Sequence, residues 1–135
     1  MSKISWNDSF SVKNDEIDAQ HKRWIVMIND LHDVLLQDSF DNLQKITMQT
    51  LDAMNEYVRY HFSAEEKYMQ KIGYPGLSSH KKIHEQFYLR IVTLHGDIQA
   101  GKLVLNTEIM KTLTAWLQEH ILNEDMKYSQ FAAHL

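Results

Sequence analysis

Apolar side chains recur every three or four residues along four long stretches of the chain, with polar residues between them. This spacing is typical of one face of a helix and predicts four amphipathic helices. We place them at about 18–37, 39–72, 78–100 and 107–132. Residues 1–17 carry scattered apolar side chains without a helical period, and we predict an extended arm that lies on the helices.

Short breaks separate the helical stretches. Gly73, Pro75 and Gly101 interrupt the pattern, and Asp38 and Ser39 are residue types that start helices. Because long helices joined by short loops lie antiparallel to their neighbours, the economical fold is an all-α, up-down-up-down four-helix bundle. A chain of 135 residues fits a single domain, which we expect to span 1–135.

Composition and charge narrow the function classes. The absence of Cys excludes disulfides, thiolate metal sites and iron–sulfur clusters. A net charge of −4 without a basic run gives no indication of nucleic-acid binding, and no apolar run has the length of a membrane helix. The first residues lack the apolar core of a signal peptide, so a cytoplasmic location is expected.

Histidines and carboxylates fall on the apolar side of every predicted helix. Residues four apart lie one turn apart on the same helix face, where two side chains can bind one ion. The set comprises His21, His61 with Glu65, His80 with His84, and His120 with Glu124 or Asp125. Any one pair would also suit an exposed or satisfied position. Ionisable groups facing a bundle core are costly unless paired or metal-bound, so the whole set predicts a metal site.

The number of candidate ligands indicates which metal they hold. Five imidazoles and two or three carboxylates exceed what one ion requires, so a dinuclear site is predicted. A structural zinc ion takes four ligands and would leave several side chains unused. The mixture of imidazoles and carboxylates fits two irons with carboxylate bridges.

Four ligand motifs in this order and spacing resemble those of the hemerythrin family, in particular its bacterial single-domain members. The resemblance covers nearly the whole chain and includes an opening segment, Trp6-Asn7-Asp8-Ser9-Phe10-Ser11-Val12. The motifs are Ile17-Asp18-Ala19-Gln20-His21, His61-Phe62-Ser63-Ala64-Glu65-Glu66, Tyr74-Pro75 with His80-Lys81-Lys82-Ile83-His84, and Trp116-Leu117-Gln118-Glu119-His120-Ile121 with Asp125.

The resemblance implies a role for each ligand. One iron would be held by His80, His84 and His120, and the other by His21 and His61. Both irons would share Glu65, Asp125 and an oxo or hydroxo bridge from solvent. One coordination position, on the iron held by His21 and His61, would stay open for O2.

The expected function is reversible O2 binding for storage, transport and delivery, or sensing. Neutral imidazoles favour the diferrous state, whereas oxygen-activating bundles use carboxylate-rich sites. The alternative is a di-iron oxidase, a peroxidase or a nitric-oxide-handling enzyme on the same scaffold. O2 is the expected partner, with azide or nitric oxide as other iron ligands. A sensor would require a separate protein partner, and a zinc or metal-free interaction bundle is the remaining possibility.

Five apolar side chains within about one turn of a ligand are candidates for a dry O2 pocket, although plain core packing would explain them too. They are Trp24, Phe62, Trp116, Leu117 and Ile121. At the position of Trp24 the family commonly has leucine. An inward indole N–H could donate to bound O2, an outward one would leave only a wall, and packing against Trp6 or Phe10 would place the ring in the ordinary core.

Helix geometry and the family resemblance favour different carboxylates as the ligand that follows His120. On an ideal helix Glu124, at i+4, faces the same way as His120, whereas Asp125 is turned away by about 140°. The resemblance nevertheless points to Asp125. Both statements hold if the helix is locally widened to a π-turn, which occurs at functional sites. We therefore predict a π-bulge, with Asp125 as the ligand and Glu124 facing solvent.

Overall fold

The computed structural model describes residues 4–36 and 43–135, so the predicted capping pair Asp38 and Ser39 lies outside the described residues. These residues are helical without any β-strand, in the order α1 Asp15–Leu35, α2 Leu43–Ile72, α3 Leu77–Gln99, α4 Thr107–Glu119, a π-helical turn His120–Asp125 and α5 Met126–Ala133. The last three elements follow one another without a break and form the fourth helix of the bundle. The predicted four-helix bundle is thereby confirmed.

Packing between the helices follows their order along the chain. The first helix, α1, contacts both α2 and α4, and α2 also contacts α3. None of the helices in the described parts is long and apolar enough to cross a lipid bilayer.

The first helix begins earlier than the apolar period predicts. Its first residue is Asp15 rather than Asp18, because the Asn14 side chain accepts a hydrogen bond from the Ile17 backbone N–H at 3.1 Å. Acidic residues in the first turn also favour a helix start at this end of the helix dipole. The predicted boundary of the arm at residue 17 is therefore wrong by three residues.

The arm lies on the bundle and is joined to it by hydrogen bonds of the Val12 backbone. It contains one 3₁₀ turn, Asp8–Phe10, so it is not extended throughout. The Asp18 carboxylate accepts from the backbone N–H of Val12 at 2.9 Å. The hydroxyl of Ser129 donates to the carbonyl oxygen of Val12 at 2.8 Å. These bonds join the arm to α1 and to α5.

Local signals set the later helix boundaries close to their predicted positions. After α3 the chain turns at Gly101, whose φ of 74° is unfavourable for residues with a Cβ atom. The Asn106 side chain then accepts from the Ile109 N–H at 2.9 Å and caps the start of α4.

A polar layer separates two apolar clusters inside the bundle. Along α1, Ile17 belongs to the smaller cluster and Trp24 to the larger one, with His21 one turn from each. Along α2, Val58 and Met69 lie in the larger and smaller clusters, on either side of the next candidate ligands. The site is therefore enclosed by packed apolar side chains at both levels.

Candidate metal centre

All seven predicted ligands lie within one buried cluster. They come from α1, α2, α3 and the π-helical turn, and none exposes more than 4% of its surface. Their ligand atoms form two groups, each with all atoms within 4.8 Å of one another. The groups are Glu65, His80, His84, His120 and Asp125, and His21, His61 and Glu65.

Glu65 lies between the two histidine groups. Its Oε1 atom is 3.0 Å from His84 Nε2 and 3.4 Å from His80 Nε2. Its Oε2 atom is 3.3 Å from His21 Nε2 and 3.4 Å from His61 Nε2. One oxygen of this carboxylate therefore faces each group.

Asp125 repeats this arrangement from the opposite side of the site. Its Oδ1 atom is 3.0 Å from His80 Nε2 and 3.1 Å from His120 Nε2. Its Oδ2 atom is 3.2 Å from His21 Nε2. Two carboxylates with one oxygen in each histidine group have the geometry of ligands that bridge two metal ions.

The predicted π-turn is confirmed and explains why Asp125 reaches the cluster. The turn spans His120–Asp125, and its wider winding brings both of these residues to the inner face. Glu124 points away from the cluster, where it accepts from Lys127 Nζ at 3.2 Å. Its side chain is 29% exposed, so it is partly rather than fully open to solvent.

The carboxylates dominate the electrostatics of the cluster. Burial disfavours the protonated forms of His21 and His80, but Asp125 and Glu65 outweigh burial and raise both pKa values to about 9. The same balance, with Asp125 as the main opponent of burial, raises the pKa of His120 to about 10. At His61 burial prevails and lowers the pKa.

The two carboxyl groups respond in the opposite direction. Burial alone would raise their pKa values, but the surrounding imidazoles hold the pKa of Glu65 and that of Asp125 well below the usual range. Both groups are therefore ionised at neutral pH, the form that binds a cation. Tyr128 donates its hydroxyl to Glu65 Oε2 at 2.8 Å, and burial together with the two carboxylates raises its own pKa.

Unsatisfied buried atoms show that the cluster fits a metal. Within the described residues, both nitrogens of His21, Nε2 of His61, Oε1 of Glu65 and both oxygens of Asp125 lack hydrogen-bond partners. They face one another at ion-pair distances without hydrogen-bond geometry. A buried polar atom left in this state costs about 1–3 kcal/mol. Imidazole nitrogens and carboxylate oxygens bind iron, so metal ions would satisfy the Nε2 atoms and the carboxylate oxygens that face one another.

Neighbouring side chains orient two of the imidazoles. His61 donates Nδ1–H to Gln20 Oε1 at 2.7 Å, and His84 donates Nδ1–H to Glu66 Oε2 at 2.8 Å. Each bond leaves Nε2 unprotonated and directed into the cluster, as a metal ligand requires. The roles of Gln20 and Glu66 are not among the predictions from the sequence. The available signal was position, because Gln20 and Glu66 each adjoin a candidate ligand in its motif.

The five side chains predicted to line an O2 pocket lie in the larger apolar cluster or against it. Phe62 stacks on the ring of His84 at a centroid distance of 3.8 Å. Trp116 stacks on His120 at 4.5 Å. Leu117 and Ile121 are fully buried. These apolar side chains therefore cover the ligand cluster on one side, and we call the five of them the apolar ceiling.

Trp24 packs beside the candidate ligands, within the apolar cluster that also contains Phe10 of the arm. Its ring centroid is 5.8 Å from that of His61, 5.7 Å from Phe62 and 6.2 Å from Trp116. The arm residues Trp6 and Phe10 instead pair with each other at 5.7 Å. The ring of Trp24 thus lies next to a candidate ligand, and its role in an O2 pocket stays a prediction.

One surface cleft adjoins the cluster. It has a volume of about 200 Å³ and is lined by Ile83, Trp116, Glu119, His120, Asn123 and Glu124. A larger cleft of about 550 Å³ lies on the outer face of α2 and includes none of the candidate ligands. Of these two clefts, only the smaller one is lined by a candidate ligand, His120.

Known proteins agree with this geometry. The family of the hemerythrin HHE cation binding domain matches residues 12–132. Bacteriohemerythrin of Stenotrophomonas maltophilia is 35% identical, with 100% of this chain and 86% of the relative covered. That of Clostridium acetobutylicum is 30% identical, with 91% and 96% covered. A crystal structure of wild-type hemerythrin is similar, with a TM-score of 0.88 at 29% identity and coverage of 96% and 97%.

Proposed function

The chain belongs to the hemerythrin family, and from this premise we propose that it binds O2 reversibly at two iron ions joined by an oxo or hydroxo bridge. The proposed role is oxygen storage, delivery or sensing. The observation that supports it best is the placement of Glu65 and Asp125, each with one oxygen in each histidine group.

The donor atoms divide into two ligand sets. We assign His80, His84 and His120 to one iron and His21 and His61 to the other, with Glu65 shared. Asp125 is assigned to both irons as well, because its two oxygens approach His80 and His21. Two irons held by these residues would supply the two electrons for reversible reduction of O2. The three-histidine set is the more crowded, so the set of His21 and His61 leaves room for an external ligand.

The surrounding residues hold these donors in place. Gln20 and Glu66 fix the ring planes of two imidazoles, and Tyr128 fixes one oxygen of Glu65. Because an oxygen that accepts from the Nδ1–H of an imidazole raises the basicity of its Nε2, Gln20 and Glu66 also strengthen metal binding.

The apolar ceiling serves reversibility by excluding water. Water and protons promote loss of reduced oxygen, which leaves oxidised protein that no longer binds O2. Phe62 and Trp116 cover His84 and His120 directly by ring stacking. Five imidazoles, which bind a metal in their neutral form, with only two carboxylates, distinguish this cluster from the carboxylate-rich sites that activate oxygen.

Iron content and the visible spectrum test the proposal together. We expect two irons per chain and a charge-transfer band that appears when reduced protein meets air and disappears when O2 is removed. A colourless, zinc-loaded or metal-free protein would contradict the proposal. Steady consumption of O2 with a reductant, without a long-lived oxygenated form, would favour the oxidase or peroxidase alternative instead.

A further inference from the structure

Trp24 carries a buried hydrogen-bond donor that no side chain or carbonyl in the described residues satisfies. The residue is 1% exposed, and its indole Nε1 lacks a partner across residues 4–36 and 43–135. Most buried donors in proteins are paired, so an exception of this kind calls for a functional explanation.

The surroundings of the ring offer the donor no acceptor. Its ring neighbours are His61, Phe62, Phe87 and Trp116. Three of these rings have no acceptor atom. On His61, Nδ1 already donates to Gln20, and Nε2 is an assigned metal ligand. A lone water is also poorly held here, because it would require two or more polar partners.

We propose that the Trp24 indole N–H donates a hydrogen bond to the small ligand bound on the His21 and His61 side of the centre. The ligand is O2 in function, and azide is its experimental substitute. Both present an acceptor atom, and the edge-on packing of Trp24 against His61 places the indole beside this ligand set. This inference rests on the proposed function and adds a residue that selects for acceptor ligands.

If Trp24 acts as a hydrogen-bond donor, its removal affects ligand kinetics differently than if it acts only as a wall, that is, as a steric barrier. Removing a wall speeds entry and exit of the ligand equally, which leaves the dissociation constant unchanged. Removing a donor raises the dissociation constant, because the bound state alone loses the bond. Two variants without the N–H but with different bulk, Trp24→Phe and Trp24→Leu, therefore separate the two roles.

The experiment measures azide association, dissociation and equilibrium binding on the oxidised, iron-loaded protein. In both Trp24 variants we expect the dissociation constant to rise roughly tenfold, as for one lost hydrogen bond to a charged ligand. The matched control is Trp6→Phe, the same chemical change in the arm, which should retain the wild-type constant. Iron content and far-ultraviolet circular dichroism verify that each variant is folded and loaded.

A spectroscopic readout independent of ligand affinity completes the test. Ultraviolet resonance Raman of tryptophan reports indole N–H hydrogen bonding, and the difference between wild type and Trp24→Phe isolates Trp24. We expect its band to change from the free to the bonded position when azide is added.

Three results would overturn the inference. The first is an unchanged dissociation constant with equally faster entry and exit in both variants, which makes Trp24 a wall only. The second is a Raman band that azide does not alter. In both cases the proposed function stands. If instead the wild-type protein holds no iron or binds no azide, the proposed function fails and the inference fails with it.

Discussion

Two carboxylates reach the same buried cluster from helices that are wound differently. Glu65 lies four residues after His61 on the regular helix α2, whereas Asp125 lies five residues after His120 across a π-helical turn. Both are fully buried, and their oxygens approach His80 Nε2 to 3.4 Å and 3.0 Å. The spacing of ligands along a sequence is therefore interpretable only together with the local winding of the helix.

The two carboxylates also differ in what holds them. Glu65 lies within a helix of 30 residues and accepts a hydrogen bond from Tyr128. Asp125 has no hydrogen-bond partner among the described residues and lies at the junction between the π-turn and α5. We infer that the position of Asp125 depends more strongly on the imidazoles and on bound metal.

The largest effect should come from removing the carboxylate that the π-turn delivers. Asp125→Ala should lose at least one iron per chain, because a shared ligand disappears from both histidine groups. Glu124→Ala is the matched control and should keep two irons, since Glu124 contacts Lys127 outside the cluster. Iron analysis of the two purified variants is the measurement. The reverse pattern would show that the assignment of Asp125 is wrong.

Much of this comparison could be predicted from the sequence, because ligand spacing and helical periodicity are local. The π-turn followed from the conflict between the angle of Glu124 and the motif that contains Asp125. The apolar period places the start of α1 three residues too late, because the cap at Asn14, and not that period, sets the first turn of the helix. That signal was present in the chain as Asn14-Asp15-Glu16.

Long-range pairs lie beyond sequence reasoning of this kind. The bond from Tyr128 to Glu65 joins residues 63 positions apart, and that from Gln20 to His61 joins residues 41 apart. Neither pair has a periodic signal, because each depends on how two helices rotate against one another. The free N–H of Trp24 depends likewise on the packing of three helices around it.

Metal removal should affect the π-turn more than α2. Metal binding stabilises the folded state by about 4 kcal/mol at a metal concentration 1,000 times the dissociation constant, which corresponds to a melting temperature higher by about 10 °C or more. We expect the metal-free protein to melt lower by this amount. Hydrogen exchange should show greater loss of protection at His120–Asp125 than around Glu65. Equal melting temperatures, or equal protection in the two segments, would contradict this prediction.

The stability of the metal-free protein should fall moderately as the pH rises above neutral, and the size of this fall should depend on Asp125. His21, His80 and His120 have folded pKa values of about 9, 9 and 10, above the unfolded value of 6.5. Their contribution to stability is complete below about pH 6.5 and is lost as the pH rises through 9 to 10. The urea midpoint should therefore be lower at pH 9 than at pH 6.

A variant and a second pH range test whether the buried carboxylates cause this pH dependence of stability. In metal-free Asp125→Asn the decline between pH 6 and pH 9 should be smaller, because a main source of the raised pKa values is gone. Since the pKa values of both carboxyl groups are lowered, stability should also fall as the pH drops below about 4. A midpoint that rises from pH 6 to pH 9 would refute this account.

The smallest expected effect tests the comparison most directly. Deleting Asn123, an exposed residue of the π-turn, should convert the turn to a regular helix and bring Asp125 to four residues after His120. The residues beyond the deletion should keep their orientation, because the deleted residue is the one that the π-turn adds. We expect two irons per chain and a melting temperature close to that of the wild type.

The matched control deletes Ser63, an exposed residue between His61 and Glu65 on α2. There the deletion turns Glu65 by about 100° relative to His61 and should abolish iron binding. Loss of iron from a folded Asn123 deletion would mean that the wider turn itself is required and that the two carboxylates are not equivalent.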